Sequence, residues 1–449
     1  MKLLYNLEQL RRHERWTRPQ LQEYQAESLR RLREYAYARS PFYQRFHRGL
    51  FERPLHELPV LTKAMVMEHF DELVTDRAIH LDAVRAFAAA GLNDRLFLDR
   101  YRVPATSGSS GQPGFFVFGE TEWLTIMAAF GRAQQWSGPN ANPWRRRKMA
   151  MVTSVSPFHL SSLVGASAKS WFTPSTRLPA SEPLETIVQR LNEIQPDLLV
   201  TFASLSRILA EEQLAGRLHI RPDKIFTSSE VLPDETRRRI KLAWGNEPFN
   251  QYGATETAGI AVEHFGCRHM HLYEDLVIFE VVDEHYRPVP AGTFGAKLLA
   301  TTLFSRTQPL IRYEMNDSVC LGTETCSSGL PFVILESIQG RIEEQLHLPA
   351  KTGGRTAIQP LVFKRIMDIL PISGWQVVQE ADDGLTVLLS GVRDASVEST
   401  LADALTQALI SQGAIVPAVR IQPVSSIPKA SSGKTPQIKA YRPVKENQL

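Results

Sequence analysis

Asp197-Leu198-Leu199-Val200-Thr201-Phe202 is a short apolar run, and a second, Lys224-Ile225-Phe226-Thr227, follows it. Runs of this length, rich in β-branched and aromatic residues, suit strands buried on both faces. Each has a segment of helical spacing beside it: Leu184 to Glu193 precedes the first, and Asp234 to Trp244 follows the second. Further towards the N-terminus, Lys148-Met149-Ala150-Met151-Val152-Thr153 reads as another buried strand, after a helical pattern from Glu122 to Trp136. This alternation predicts an α/β fold with a largely parallel sheet. From Leu276 to Thr302 the pattern changes to strands and turns, as in Val277-Ile278-Phe279-Glu280-Val281-Val282. Near the start, Gln20 to Ser40 has helical spacing and stops at Pro41, and Leu58 to Lys63 reads as a loop entering another helix.

A boundary is expected near Gly340-Arg341. Beyond it lie a helix near Pro360 to Ile369, strands near Trp375 to Gln379 and Leu385 to Leu389, a helix near Val397 to Ser411 and a strand near Ala418 to Pro423. That is the size and mixture of a small α+β domain. The expected organisation is a large domain over residues 1–340 and a small one over 341–449.

The chain has 449 residues, 43% hydrophobic and 22% charged, with a net charge of +3. These values fit a multi-domain globular protein and give no reason to expect nucleic acid as a partner. No apolar stretch approaches a membrane span, and the charged N-terminus does not read as a secretory signal. Three cysteines do not make an extracellular disulfide framework, so a cytoplasmic location is expected.

Thr106-Ser107-Gly108-Ser109-Ser110-Gly111-Gln112-Pro113-Gly114 combines hydroxyls with glycines ahead of the apolar Phe115-Phe116-Val117-Phe118. Such a loop can converge backbone N–H groups on an anion; taken alone it is equally a surface turn. Ser431-Ser432-Gly433-Lys434-Thr435 ends like a nucleotide-binding P-loop, but Pro428 stands at the first glycine position and Pro436 would obstruct the following helix. Lys434 is then either a solvated cation or one carried to a phosphate. Two more segments carry the right chemistry: Tyr252-Gly253-Ala254-Thr255-Glu256, and Arg312-Tyr313-Glu314-Met315-Asn316-Asp317. Tyrosine can stack on a purine, glutamate can hold Mg²⁺, and aspartate can take ribose hydroxyls.

In order and spacing these segments resemble the adenylate-forming superfamily of acyl- and aryl-CoA ligases, adenylation domains and luciferases, and within it the phenylacetate-CoA ligase-like branch. Thr106–Gly114 is similar to that branch's TSGTTGxP loop. Ser228-Ser229-Glu230-Val231-Leu232 is similar to its G-[AS]-E-P-[LW] segment, Tyr252–Glu256 to Y-G-x-T-E, and Arg312–Asp317 to R-Y-R-T-G-D. Gly340-Arg341 resembles its hinge motif, and Ser432-Gly433-Lys434 its catalytic-lysine motif. The likeness covers Tyr101 to the tail. It implies a large N-terminal domain with mainly parallel sheets and a β-rich subdomain, plus a small mobile C-terminal domain.

The reaction implied joins a carboxylic acid, aromatic in this branch, to AMP from ATP and then to coenzyme A. Loading a carrier protein or another acceptor is an alternative, as is a silent nucleotide-binding protein. The resemblance implies that Thr106, Ser107, Gly108, Ser109, Ser110 and Gly111 hold phosphates. Ser229, Glu230, Gly253 and Arg341 would line the nucleotide site and Tyr252 would pack on adenine. Thr255 would bond the α-phosphate, Glu256 would bind Mg²⁺, Asp317 would hold the ribose and Lys434 would bridge carboxylate and α-phosphate. Phe158, His159 and Ala254 would touch the acid, Glu343 would serve as hinge, and a homodimer is common in the branch. The chain departs from the pattern at Glu314-Met315-Asn316, where the second arginine and Thr-Gly are lost.

Cys267 and His271 follow one motif, and Cys320 and Cys326 follow another. Some members of the branch carry a structural zinc here, usually with a final C-x-C pair. Ser328 occupies that partner position, so Cys320 is expected to stand in. A zinc site and three buried thiols remain equal alternatives. Arg145-Arg146-Arg147-Lys148 reads as a solvated face.

Overall fold

The computed structural model describes all residues except 1, 92–94, 107–112, 139–145, 155–157, 169–172, 325, 342–343, 368–369, 371, 373, 393, 395, 417, 429–434 and 442–449. The chain divides into two compact units. One contains Met1–Arg177 and Phe249–Ile338; the other contains Leu178–Pro248 and Gln339–Leu449. One junction lies between Ile338 and Gln339, and the segment Leu178–Pro248 groups with the C-terminal residues.

In the first unit, the helix Glu120–Trp136 spans almost the same residues as its sequence pattern. Glu122 closes its start by accepting the Gly119 N–H, which satisfies an otherwise orphan donor. The helix Lys2–His13 lies along it, with Lys2 reaching Glu120 and Arg11 reaching Gln135. Strands Phe249–Ala254, Ala258–His264 and Cys267–Leu272 pair antiparallel in sequence order, and Ile334–Arg341 joins through Ile334↔His271 and Leu335↔Met270. A second sheet places Lys297–Thr302 between Val277–Val282 and Tyr313–Met315, all antiparallel. One core joins Leu32, Phe116, Trp123, Ile260, Val277 and Tyr313.

Arg132 is buried in that unit and receives charge from several elements. Its Nη1 and Nη2 donate to Asp275 Oδ1 and Oδ2 at 2.9 and 2.5 Å, and Nη2 also donates to the Leu10 carbonyl at 3.2 Å. Glu14 Oε1 lies 3.4 Å from Nε, and His13 Nδ1 lies 2.8 Å from Asp275 Oδ2. The guanidinium stands 5.5, 5.2 and 5.4 Å from the ring centroids of Trp136, Tyr273 and Phe332, within cation–π range. Burial works to raise the Asp275 pKa, but Arg132 and His13 overcome it and hold the carboxyl at about 2. This cluster clamps the N-terminal helix onto the helix Glu120–Trp136.

In the second unit, strands Leu198–Phe202 and Lys224–Ser228 pair in parallel, from Leu198↔Lys224 to Phe202↔Ser228. The helix Ala203–Leu214, which the sequence pattern does not separate from the preceding strand, connects them. The C-terminal part matches its expected elements. Gly374–Gln379 pairs antiparallel with Leu385–Ser390, which runs parallel to Val419–Val424, while the helices Pro360–Met367 and Ser396–Ser411 help cover a core of Phe363, Trp375, Val387 and Leu405. Buried Arg207 donates to the Ile372 carbonyl at 2.6 Å, one tie between Leu178–Pro248 and the C-terminal residues.

Candidate active site

The described residues on either side of the Ser/Gly segment, 102–106 and 114–118, form a narrow ribbon. Arg102 and Phe118 exchange both backbone hydrogen bonds at 2.9 Å, and Phe116 N donates to the Pro104 carbonyl at 2.9 Å. Thr106 N donates to the Gly114 carbonyl at 2.9 Å, and Gly114 N donates to Thr106 Oγ1 at 2.7 Å. Thr106 therefore closes the neck of the loop, and its oxygen already accepts one bond. A side chain at Gly114 would meet Lys63 Cε at 3.0 Å, so a glycine suits the neck. Ser107, Gly108, Ser109, Ser110 and Gly111 lie outside the described residues.

Tyr252–Glu256 forms one arm and the turn of a hairpin. Its register shifts between Tyr252 and Gly253, where a β-bulge brings the two arms together. A Cβ at Gly253 would lie 2.3 Å from the Ala258 carbonyl oxygen, so only glycine fits there. Ala258 itself has φ +65°, a left-handed conformation unusual for a residue with a side chain. Thr255 and Glu256 lie in the turn, with Ala254 just before it.

Tyr313 connects this hairpin to the ribbon. Its hydroxyl donates to Glu256 Oε1 at 3.3 Å, and its ring meets Phe116 edge-on at 6.0 Å. The tyrosine is buried, and Asp317, also buried, begins the strand Asp317–Leu321 shortly after it. The sequence names Tyr313 only as one letter of a resembling motif; the structure gives it a partner in Glu256. Arg312, next to it, has a different task. It is buried at φ +51°, pairs with Glu280 Oε2 at 3.1 Å and donates to the Leu58 carbonyl. Burial raises the Glu280 pKa, and Arg312 opposes that rise. Arg312 is therefore a brace in the sheet.

Phe158 is brought beside the loop: Ala105 N donates to its carbonyl at 2.7 Å, and its ring lies 6.1 Å from Phe87. It packs against the buried cluster that contains Phe97, Phe115 and Val117. His159 precedes the helix Leu160–Ser167, and its carbonyl accepts the Ser162 N–H at 3.0 Å. In the second unit, exposed Ser229 has φ +66°, and Glu230 Oε2 accepts the Ser204 N–H at 2.8 Å at the start of the helix Ala203–Leu214. An acidic partner there favours the helix N-terminus. Arg341 ends the strand Ile334–Arg341, while Glu343 and Lys434 lie outside the described residues.

Sequence inspection also overlooks Glu122 beyond its place in a helix. Its carboxylate accepts from Thr307 N at 2.8 Å, from Thr307 Oγ1 at 2.6 Å and from Arg306 N. It ties the start of the helix Glu120–Trp136 to the segment leading into Arg312. Nothing in the local sequence distinguishes it from a solvated N-terminal glutamate.

The thiols form a smaller set than expected. One ligand atom each from Cys267, His271 and Cys326 lie within 4.8 Å of one another. Cys267 and His271 are four apart on a strand and so share a face, with Sγ 3.5 Å from Nε2. His271 Nδ1 lies 3.3 Å from the Phe332 carbonyl, and burial lowers its pKa to about 4. The imidazole is thus neutral with Nε2 turned to the sulfur, the form that binds metals. Cys326 is the readier thiolate: burial opposes ionisation, but donation from Ser328 and its thiol and imidazole neighbours brings it to about 7. The expected fourth ligand, Cys320, is a correction. It lies on Asp317–Leu321 with Sγ 3.6 Å from the Leu321 carbonyl, outside this group.

No family model matches the chain. It is 27% identical over 374 residues to phenylacetate-coenzyme A ligase of Thermus thermophilus, covering 79% of this chain and 77% of that protein. It is also 28% identical to Protein CapK of Staphylococcus aureus, over 32% of this chain and 30% of that one. Among solved structures, a 2-hydroxyisobutyryl-CoA ligase in the postadenylation state superposes with a TM-score of 0.75 at 18% identity, covering 96% of this chain and 92% of that one. The chain is therefore a homologue of phenylacetate-coenzyme A ligase with the fold of the adenylate-forming enzymes.

Proposed function

We propose that this protein is an AMP-forming acid–CoA ligase that activates an aromatic carboxylic acid. The observation that carries the reading is the bond from Tyr313 to Glu256, because it ties the Tyr252–Glu256 turn to the segment bearing Asp317. In this reading the acid's oxygen attacks the α-phosphorus of ATP and pyrophosphate leaves. The acyl-AMP then loses AMP to the thiol of coenzyme A. Charge gathers on the phosphates in the first step, so donors must be fixed in advance. The Thr106–Gly114 loop would hold the β- and γ-phosphates, with Thr106 offering its O–H while its oxygen keeps the neck closed. Thr255 would bond the α-phosphate, and Asp317 would hold the ribose. Glu256, with one oxygen engaged by Tyr313, suits Mg²⁺, which supplies charge neutralisation. The reading assigns residues 341–449 to a mobile domain hinged at Glu343 and carrying Lys434.

Acid-dependent exchange of labelled pyrophosphate into ATP across aromatic and aliphatic acids tests this reading. Exchange should be strongest with an aromatic acid, and coenzyme A alone should then yield a thioester. No exchange with any acid would sink the reading, and exchange without thioester formation would favour a carrier-loading enzyme. Tyr313→Phe removes one hydrogen bond worth about 0.5–1.5 kcal/mol, so exchange should fall by roughly two- to tenfold. An unchanged rate would show that Tyr313 does not orient Glu256.

Cys267, His271 and Cys326 would hold a structural zinc, since the donor set has two thiols and a neutral imidazole. Elemental analysis of purified full-length protein should find about one zinc per chain, and Cys326→Ser should lose most of it. Metal-free, fully folded protein would remove this assignment.

A further inference from the structure

The ribbon carrying the Ser/Gly loop has two edges. One is formed by its own partner residues, Arg102 to Ala105. On the other edge lies Gln308, a buried side chain that no motif includes. Its Oε1 accepts the Val117 N–H at 2.8 Å, and its Nε2 donates to the Phe115 carbonyl at 3.3 Å. A carboxamide offers one acceptor and one donor side by side, and here it pairs with the N–H and C=O that a neighbouring strand would have taken. Phe115 and Val117 are buried, so those backbone groups need partners within the protein.

Gln308 is itself held firmly. Before it, the Thr307 carbonyl accepts the Thr75 N–H at 2.9 Å, and Glu122 binds the Thr307 amide and hydroxyl. After it, the Pro309 carbonyl accepts the Tyr43 hydroxyl at 2.9 Å, and that oxygen accepts the Ile311 N–H at 3.2 Å. The same segment continues into Tyr313 and Asp317. A rigid segment thus fixes the ribbon on one side and the Glu256 partner on the other.

We propose that Gln308 is a positioning residue for ATP: it holds the ribbon at Phe115 and Val117 in register with the segment that carries Tyr313 and Asp317. This rests on the ligase reading above. Gln308 touches no substrate in this role; it acts through Phe115 and Val117, directly downstream of the loop neck at Gly114.

Gln308→Met keeps the side-chain length and removes both bonds, while Gln308→Glu keeps the acceptor for Val117 and loses the donor to Phe115. With the full chain, KM for ATP should rise about tenfold in Gln308→Met, with KM for the acid changed less than about twofold, since small misplacements of binding groups weaken productive geometry. Without nucleotide, amide exchange over residues 115–118 should quicken in the same variant. Gln308→Glu should fall between the parent and Gln308→Met in both measurements, and it replaces Gln308→Met should that variant fail to fold. A folded variant with parental ATP KM, or with parental amide exchange at 115–118, overturns the proposal while the ligase reading stands. A parent chain that neither binds nor exchanges ATP sinks the ligase reading and the proposal with it.

Discussion

Arg132→Met is expected to destabilise the first unit by about 3–5 kcal/mol at neutral pH, because it leaves a buried carboxylate without its main counter-charge. Asp275 takes both of its guanidinium bonds from Arg132, and His13 Nδ1 also lies against its Oδ2. Methionine fills similar volume but offers no donor, and the Leu10 carbonyl keeps only the Glu14 N–H. The sign with pH follows from Asp275. Its folded pKa of about 2 lies below the unfolded value of about 3.9, so its stabilisation is complete above about pH 4 and disappears as pH falls towards 2. In the variant the same carboxyl, buried without Arg132, is pushed upward and protonates under mild acid. The deficit relative to the parent should therefore be largest near pH 7 and shrink as pH approaches 4. Urea unfolding of both proteins at several pH values reads this directly. A deficit under about 1 kcal/mol, or one that does not change with pH, would mean that the cluster does not clamp the N-terminal helix.

Lys434→Ala is expected to cost the adenylation step at least about 10²–10³-fold, the scale of removing one preorganised donor from a developing charge. Thioester formation from supplied acyl-AMP and coenzyme A should survive, because no charge then moves onto pyrophosphate. Lys434→Arg should not restore the rate, since a planar guanidinium does not replace a compact ammonium between two oxyanions. The comparison needs only pyrophosphate exchange and thioester release measured on the same preparations. Equal loss in both half-reactions would show that Lys434 serves binding in general, and intact exchange would remove it from the mechanism.

The elements legible in the sequence were those with a clean period and a clear stop. Glu122 to Trp136 and Asp234 to Trp244 needed only their apolar spacing. The helix Ala203–Leu214 was not legible, because Ala203-Ser204 follows Phe202 with no breaker and its N-terminal partner, Glu230, lies far along the chain. The grouping of Leu178–Pro248 with the C-terminal residues also depends on long-range ties such as Arg207 to Ile372. Motif letters pointed to Glu256 and Asp317, but not to what orients Glu256. Cys320 is expected as a ligand only because Ser328 holds the usual partner position; the strand Asp317–Leu321 places its thiol by the Leu321 carbonyl, outside the cluster. Asp275 and Gln308 carry no local signature, since each acts through a partner more than a hundred residues away, and Glu122 shows locally only its contact with Gly119 and not its hold on Thr307.

Gln308 also decides what could be exchanged between relatives of this protein. A chimera that imports residues 101–118 alone would bring a foreign ribbon to a glutamine shaped for the native backbone, and any altered offset at Phe115 or Val117 would break the match. The portable unit is discontinuous: the loop with its ribbon, together with residues 305–309. Recombination breakpoints placed between those two stretches should yield folded but poorly active hybrids, and libraries that inherit both from one parent should not.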